Sequence, residues 1–288
     1  MLGLTPNSLY TSHMGQWVSR SPSPRIWGRV STVKQTPDGS GALYGVSEDF
    51  CGFGIGTVVA SNVAYYQGDA GGYKAYEDTS QTILPLETES GGVIRIALAA
   101  TDNVEVALQN GMAAATTSAP YRVTSAATKP LFYENCFRPT AAASDFDSCG
   151  AYFGLGSVNI PANSAIVDDT MALAAGTSFL GFSTIDGTPR FTWKAASQTA
   201  QHITLSSTAL VTATWYQFGM YVDPLGPASQ RIHLFWQGEE VATFVTDTNI
   251  AAATFPSAVS LAPVAAFKNG DATARSLDLD WFHCYQGR

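Results

Sequence analysis

Along most of the chain apolar and polar residues alternate with a period of two, the signature of strands buried on one face. In Trp215–Asp223 this places Tyr216, Phe218, Met220 and Val222 on one face, and in Arg231–Trp236 it groups Ile232, Leu234 and Trp236. Gln237-Gly238 follows and then Glu239–Val245, so an apolar run, a Gly-containing turn and a second run predict a β-hairpin. Asp186-Gly187 predicts another hairpin between Ser178–Ser183 and Pro189–Trp193. Further strands are predicted over Gly92–Leu98, Asn103–Leu108, Leu131–Phe137, Ala151–Leu155, Ser260–Phe267 and Leu277–Tyr285. Pro263 predicts an edge position or a bulge for its strand, and Asp278 and Asp280 are expected on a solvated face of the last one. Gly52–Gly56 reads as a bulged strand. Helical periodicity is not sustained over any helix-length window, and the Ala-rich stretches lie beside Gly, Thr, Ser and Pro as strand ends and loops do. Many short strands with Gly, Asn and Asp turns, and no repeat of solenoid length, predict an all-β antiparallel sandwich or barrel.

Residues 1–40 break this pattern. Ser21-Pro-Ser-Pro24 favours extended backbone and Thr36-Pro-Asp-Gly39 a turn, so 1–40 is expected to be an extended N-terminal arm and 41–288 one domain. Charge divides at the same place. The first 35 residues carry Arg20, Arg25, Arg29 and Lys34 with no acid, a charge of +4, while the remainder carries −12. An acidic body and a net charge of −8 disfavour a nucleic-acid partner that is bound by neutralising phosphates. No apolar run is long enough for a membrane span. The first residues hold neither a basic segment nor an apolar one, which predicts no secretory signal and assembly in a cytoplasm. Hydrophobic residues at 45% supply a sizeable core, and charged residues at 13% fall well below the roughly 25% of an average domain.

Several patterns in the chain bear on chemistry. Cys51, Cys136, Cys149 and Cys284 have no metal-binding spacing and read as four buried free thiols, with Cys51–Cys284 or Cys136–Cys149 pairing left open. A retaining glycosidase needs two carboxylates ~5–5.5 Å apart. Asp278/Asp280, Asp145/Asp147 and Glu87/Glu89 share strand faces or loops, but none has a third acid at the catalytic offset. Asp168-Asp169, Asp145/Asp147 and Asn269/Asp271 are weak calcium candidates without a recognised loop spacing. His13, His202, His233 and His283 accompany no Gly-x-Ser-x-Gly elbow, and no phosphate-binding loop exists. No cofactor and no metal are therefore expected. Tyr65, Tyr66, Tyr73 and Tyr76 lie in a Gly-rich stretch and are candidates to line a sugar groove, an interface or the core.

Thr214-Trp-Tyr-Gln-Phe-Gly-Met-Tyr-Val-Asp223, Arg231-Ile-His-Leu-Phe-Trp-Gln-Gly238, Ala266-Phe-Lys-Asn-Gly270 and Leu277-Asp-Leu-Asp-Trp281 together resemble the concanavalin A-like (LamG-like) jelly-roll domains of tailed-phage structural proteins. Gly150–Gly156 and Phe179–Phe182 resemble the inner strands of that family. The resemblance spans roughly 130–288, and more weakly 49–110, and implies a jelly-roll β-sandwich in a virion protein. The laminarinase-like Glu-x-Asp-x-x-Glu run found on the same fold is missing.

The expectation is a non-enzymatic virion protein, a capsid decoration or cement protein that binds the major capsid protein or another virion protein as a homo-oligomer. The alternative is a carbohydrate-binding module or glycan depolymerase. Tyr10, Trp17, Arg20, Arg25, Trp27 and Arg29 are the candidate partner-binding residues, since isolated aromatics and arginines on an extended segment suit a partner's pocket.

Overall fold

The computed structural model describes residues 23, 26, 43–51, 53–60, 63–68, 71–77, 81–86, 88–89, 92–110, 120–124, 129–140, 146, 148–157, 165–168, 170–185 and 187–287. Among these the fold is an antiparallel β-sandwich. Its strands are β1 (Leu43–Glu48), β2 (Gly54–Ala60), β3 (Val63–Gly68), β4 (Gly71–Glu77), β5 (Thr82–Pro85), β6 (Ile94–Leu98), β7 (Glu105–Asn110), β8 (Leu131–Pro139) and β9 (Cys149–Ser157). They continue with β10 (Phe179–Ile185), β11 (Thr188–Lys194), β12 (Gln201–Thr204), β13 (Tyr216–Val222), β14 (Ile232–Trp236), β15 (Glu239–Glu240), β16 (Leu261–Asn269) and β17 (Arg275–Gly287). A short helix, α1 (Asp247–Ala251), is closed by a capping box between Thr246 and Asn249.

Sheet I runs β15-β14-β13-β8-β17-β6-β5, and sheet II runs β12-β11-β10-β9-β16-β7-β4-β3-β2. β17 is long enough to pair with β6 through its first half and with β1 through its second, while β8 covers its other side. The expected alternation holds on the inner faces. Tyr216, Phe218, Met220 and Val222 from β13, and Ile232 and Leu234 from β14, meet Phe153, Leu180, Phe182 and Phe191 of sheet II in one core. Phe137 stacks on Phe153 at 4.8 Å and Phe182 lies parallel to Trp236 at 5.7 Å.

The outer faces depart from the expectation. β8, β9, β16 and β17 are buried almost without interruption instead of on alternate residues. On sheet II the cause is the segment 165–173, whose Ala165, Ile166, Met171 and Leu173 pack on Tyr152, Val264 and Ala266. Glu105 accepts the Ala165 and Ile166 amides, and Tyr152 donates to the Met171 carbonyl, which pins this strap down.

Three local expectations are corrected. Asp278 and Asp280 are buried, because charged partners from neighbouring strands close over Asp278. Pro263 sits in a central strand, opposite Leu155, one residue before the ladder to β7 begins at Val264. Glu239–Val245 is a regular strand only at Glu239 and Glu240, and Val245 rejoins β14 through an isolated antiparallel bridge to Ile232. The strands expected over Gly92–Leu98 and Asn103–Leu108 are present and belong to opposite sheets. The bulge expected near Gly52–Gly56 is present, since the β2–β3 register shifts between Gly54 and Thr57 and again between Val58 and Ala60. All four cysteines are free thiols, three of them buried and Cys51 exposed.

Candidate functional site

The outer face of sheet I holds a concentration of polar and aromatic groups that read across the strands in rows. In the first row Asp278 of β17 stands in register with Arg95 of β6 and Arg138 of β8. Its carboxylate, fully buried, accepts from Arg95 Nε at 2.7 Å and from Arg138 Nη2 at 2.6 Å. Arg138 also donates to Glu89 and lies 4.4 Å over the ring of Trp215.

The second row aligns Ser47 of β1, His283 of β17 and Glu134 of β8. Ser47 Oγ and His283 Nδ1 share a hydrogen bond of 2.6 Å, and Trp281 stacks on the imidazole at 4.8 Å. Burial pushes His283 down to about 4, so the ring is neutral at pH 7. A serine beside a neutral histidine is the pairing of a hydrolase nucleophile, but Ser47 lies within a regular strand, not on the sharp turn that exposes such a hydroxyl. Glu134 is committed elsewhere: both carboxylate oxygens accept the backbone amide of Ser23, at 3.2 and 3.0 Å.

The row continues from Glu134 to Gly219 of β13 and Phe235 of β14. The missing side chain at Gly219 leaves a notch between its two neighbours. Ile26, fully buried, fills it and packs on Phe132, Phe235 and the half-buried Tyr221. A Cβ on Gly219 would lie 2.2 Å from Ile26 Cδ1. A third row runs Phe132–Tyr221–His233–Phe244, with ring centroids 4.7, 5.7 and 5.1 Å apart in turn, and His233 Nδ1 contacts Glu240.

The expected partner-binding residues Tyr10, Trp17, Arg20, Arg25, Trp27 and Arg29 lie outside the described residues, as does the side chain of Tyr65. Within the arm, Ser23 and Ile26 are described, and both are seated on the chain's own sandwich. Tyr66 and Tyr73 face each other across β3 and β4 and turn into the core. Tyr66 stacks on Phe53 with its hydroxyl on Glu77, and Tyr73 donates to Glu48 at 2.7 Å. The sugar-lining expectation is corrected for these two, because both rings are covered. Tyr76 packs half-buried against the outer cluster of sheet II. Of the calcium candidates, Asp168 pairs with Lys268, Asp271 with Arg275, and the Asn269 amide donates to the Ala99 and Thr273 carbonyls. Among the described residues no group of three His, Cys, Asp or Glu side chains is placed to hold a metal, and no helix is long and apolar enough to cross a membrane.

The notch at Gly219 and the Asp278 cluster were missed from sequence. Glycine at the centre of an otherwise aromatic strand was the available signal for the first. The second had none, since its members are far apart along the chain.

No protein-family model and no curated protein matches the chain. Solved structures do. A protein of unknown function, SO2946 from Shewanella oneidensis MR-1, superposes with a TM-score of 0.53 at 17% identity over 93% of this chain and 95% of its own. An endo-1,3-beta-glucanase from Streptomyces sioyaensis gives 0.42 at 11% identity, covering 85% and 88%. The carbohydrate recognition domain of Emp46p in its potassium-bound form gives 0.45 at 13% identity, covering 74% and 87%. SO2946 shares the fold, and the other two are more distant β-sandwich neighbours.

Proposed function

We propose that the chain is a non-enzymatic structural protein of a virus particle, a capsid decoration protein that docks on the major capsid protein or another virion protein as a homo-oligomer. The observation that carries the non-enzymatic part is how the buried carboxylates are used. Asp278 is held by two arginines, Glu134 by the Ser23 amide, Glu105 by Lys268 and two backbone amides, and Glu48 by Tyr73 and the Phe50 amide. These four acids, engaged this way, stabilise a scaffold and are not disposed to protonate and attack a glycosidic bond. Homo-oligomer formation is supported by β12 and β2, which end sheet II among the described residues, since edge strands of a sandwich are commonly covered in an assembly. The virion setting rests on the resemblance carried by Thr214–Asp223, Arg231–Gly238 and Leu277–Trp281.

A second reading, carbohydrate binding without hydrolysis, is favoured by the Phe132–Tyr221–His233–Phe244 row, in which Tyr221 and Phe244 keep part of their rings exposed. Titration of the purified protein against capsids of the encoding virus, run beside a glycan array and a reducing-sugar assay, separates the readings. Saturable capsid binding with silent glycan spots and no sugar release supports decoration. Glycan binding lost on Tyr221→Ala supports the second reading, and Asp- or Glu-dependent sugar release overturns both.

A further inference from the structure

The turn between β13 and β14 carries a leucine that the fold does not use. Leu225 is 94% exposed, whereas Leu84, Val167 and Val211, the other exposed large apolar side chains among the described residues, have half or more of their surface covered. It stands in Asp223-Pro-Leu-Gly-Pro-Ala228, and Pro227 and Ala228 are exposed beside it, so the tip is five residues without a polar side chain. Local geometry accounts for the neighbours. Asp223 starts the turn by accepting the Leu225 amide on Oδ1 at 2.9 Å, and Pro224 presets the backbone that follows. Gly226 fits where a Cβ would lie 3.1 Å from the Gln230 carbonyl oxygen. Neither requirement extends to the side chain at 225.

The tip is braced from below. Arg231 Nη1 donates to the carbonyls of Asp223 and Pro224, at 3.1 and 2.9 Å, while Nε and Nη2 hold the Asp247 carboxylate at 2.7 and 2.8 Å. The Asp247 amide, at the start of α1, donates to the Ala228 carbonyl at 2.8 Å, and the Gln230 amide donates to that of Pro227 at 2.8 Å. This bracing sets Leu225 apart from the incidental surface leucines that every protein carries. A loop already fixed loses little conformational freedom on docking, and its apolar tip gains when a pocket covers it.

Charge decides the kind of pocket. The acids at the foot of the turn are Asp223 and Asp247, and Arg231 spends its donors within the turn. An anionic lipid surface calls for Lys and Arg beside the apolar residues, and this foot is acidic instead. It suits a protein pocket with an apolar floor and Lys or Arg at its lip. Resting on the docking reading above, we infer that the β13–β14 turn is the chain's point of contact with its particle, where Leu225 enters an apolar, basic-lipped pocket of another virion protein.

The test uses the full chain and purified capsids of the encoding virus. Leu225→Ser should keep the wild-type melting temperature, since so exposed a side chain buries almost nothing, and should bind capsids about tenfold or more weakly. Leu225→Met should stay within about threefold of wild type, because methionine fills much the same space. Asp223→Asn keeps an oxygen for the Leu225 amide and removes the charge, so its capsid binding should be weaker and less sensitive to salt than that of wild type. Equal binding by Leu225→Ser and wild type overturns this contact and leaves the decoration reading standing, whereas a wild type that binds no capsids overturns both. An unchanged salt dependence in Asp223→Asn, or leucine-dependent sedimentation with phosphatidylserine vesicles, would overturn the basic-lipped protein pocket.

Discussion

Asp278 and Arg138 face each other across the β8–β17 ladder, and the carboxylate accepts from both Nε and Nη2 of the guanidinium, at 3.0 and 2.6 Å. Arg95 approaches from the opposite neighbour, β6, so one buried acid ties three adjacent strands at the centre of sheet I. Removing one member of such a cluster leaves buried charge without its partner, which costs about 3–5 kcal/mol. Asp278→Ala is therefore expected to lower unfolding stability by that amount in urea melts. A loss under ~1 kcal/mol would show that the cluster is a surface ornament of the kind measured for exposed pairs.

Acid should weaken the protein through His283. Its folded value lies near 4 against 6.5 for the free ring, so the unfolded chain takes up a proton at a pH where the folded chain does not. The contribution is present above about pH 6.5 and is lost as pH falls from there through about 4, and it amounts to about 3 kcal/mol in full. His283→Asn should flatten the stability curve between those two values relative to wild type. Parallel curves for the two proteins would contradict the burial of a neutral imidazole between Ser47 and Trp281.

Much of this architecture was legible from local pattern. Where a strand has one face in the core, alternation identifies it, as in Tyr216-Phe218-Met220-Val222, and Asp186-Gly187 marks a hairpin because its turn needs a left-handed residue, which Gly187 supplies at φ 69°. What failed is the companion assumption that the other face meets water. Asp278 was expected in solvent because its partners Arg95 and Arg138 lie 183 and 140 residues away. Tyr66 and Tyr73 stayed open between a sugar groove, an interface and the core, because nothing local reveals that β3 and β4 turn them toward Phe53 and Glu48. Gly219 in an aromatic strand hints at a notch, but what fills it is Ile26, a residue nearly two hundred positions earlier in the chain.

Gly154 and Gly181 are cross-strand partners on β9 and β10 whose backbones approach too closely for any side chain. A Cβ on Gly181 would stand 2.4 Å from the Phe153 carbonyl oxygen, and one on Gly154 would stand 2.5 Å from that of Leu180. Both obstacles are backbone and cannot swing aside. Gly181→Val is expected to destabilise by about 2–3 kcal/mol in thermal melts, as overpacked interior sites do. A neutral result would mean that the two strands separate more readily than their pairing indicates.

Lys194 is buried with its ammonium on three backbone carbonyls, Ala174 at 2.9 Å, Ala175 at 3.0 Å and Thr177 at 2.9 Å. It closes the end of the strap over sheet II from the inside. Lys194→Met removes the charge, keeps most of the volume and leaves three carbonyls short of a donor, at a cost of about 3 kcal/mol. Hydrogen exchange should then quicken at Ala174 and Thr177, whose amides bond to the Ala165 and Ala174 carbonyls, while β16 stays protected. Unchanged exchange at those two amides would show that Glu105 and Tyr152 hold the strap without the lysine.

The central claim is that this sandwich is a component of a virus particle and not an enzyme or a free lectin. The most direct measurement is the amount of the chain in gradient-purified particles of the virus that encodes it, quantified by mass spectrometry against the major capsid protein. A copy number in the tens to hundreds per particle, resistant to high-salt washing, is the result predicted. Particles that carry none of it, from cells in which the protein is abundant, would contradict the account.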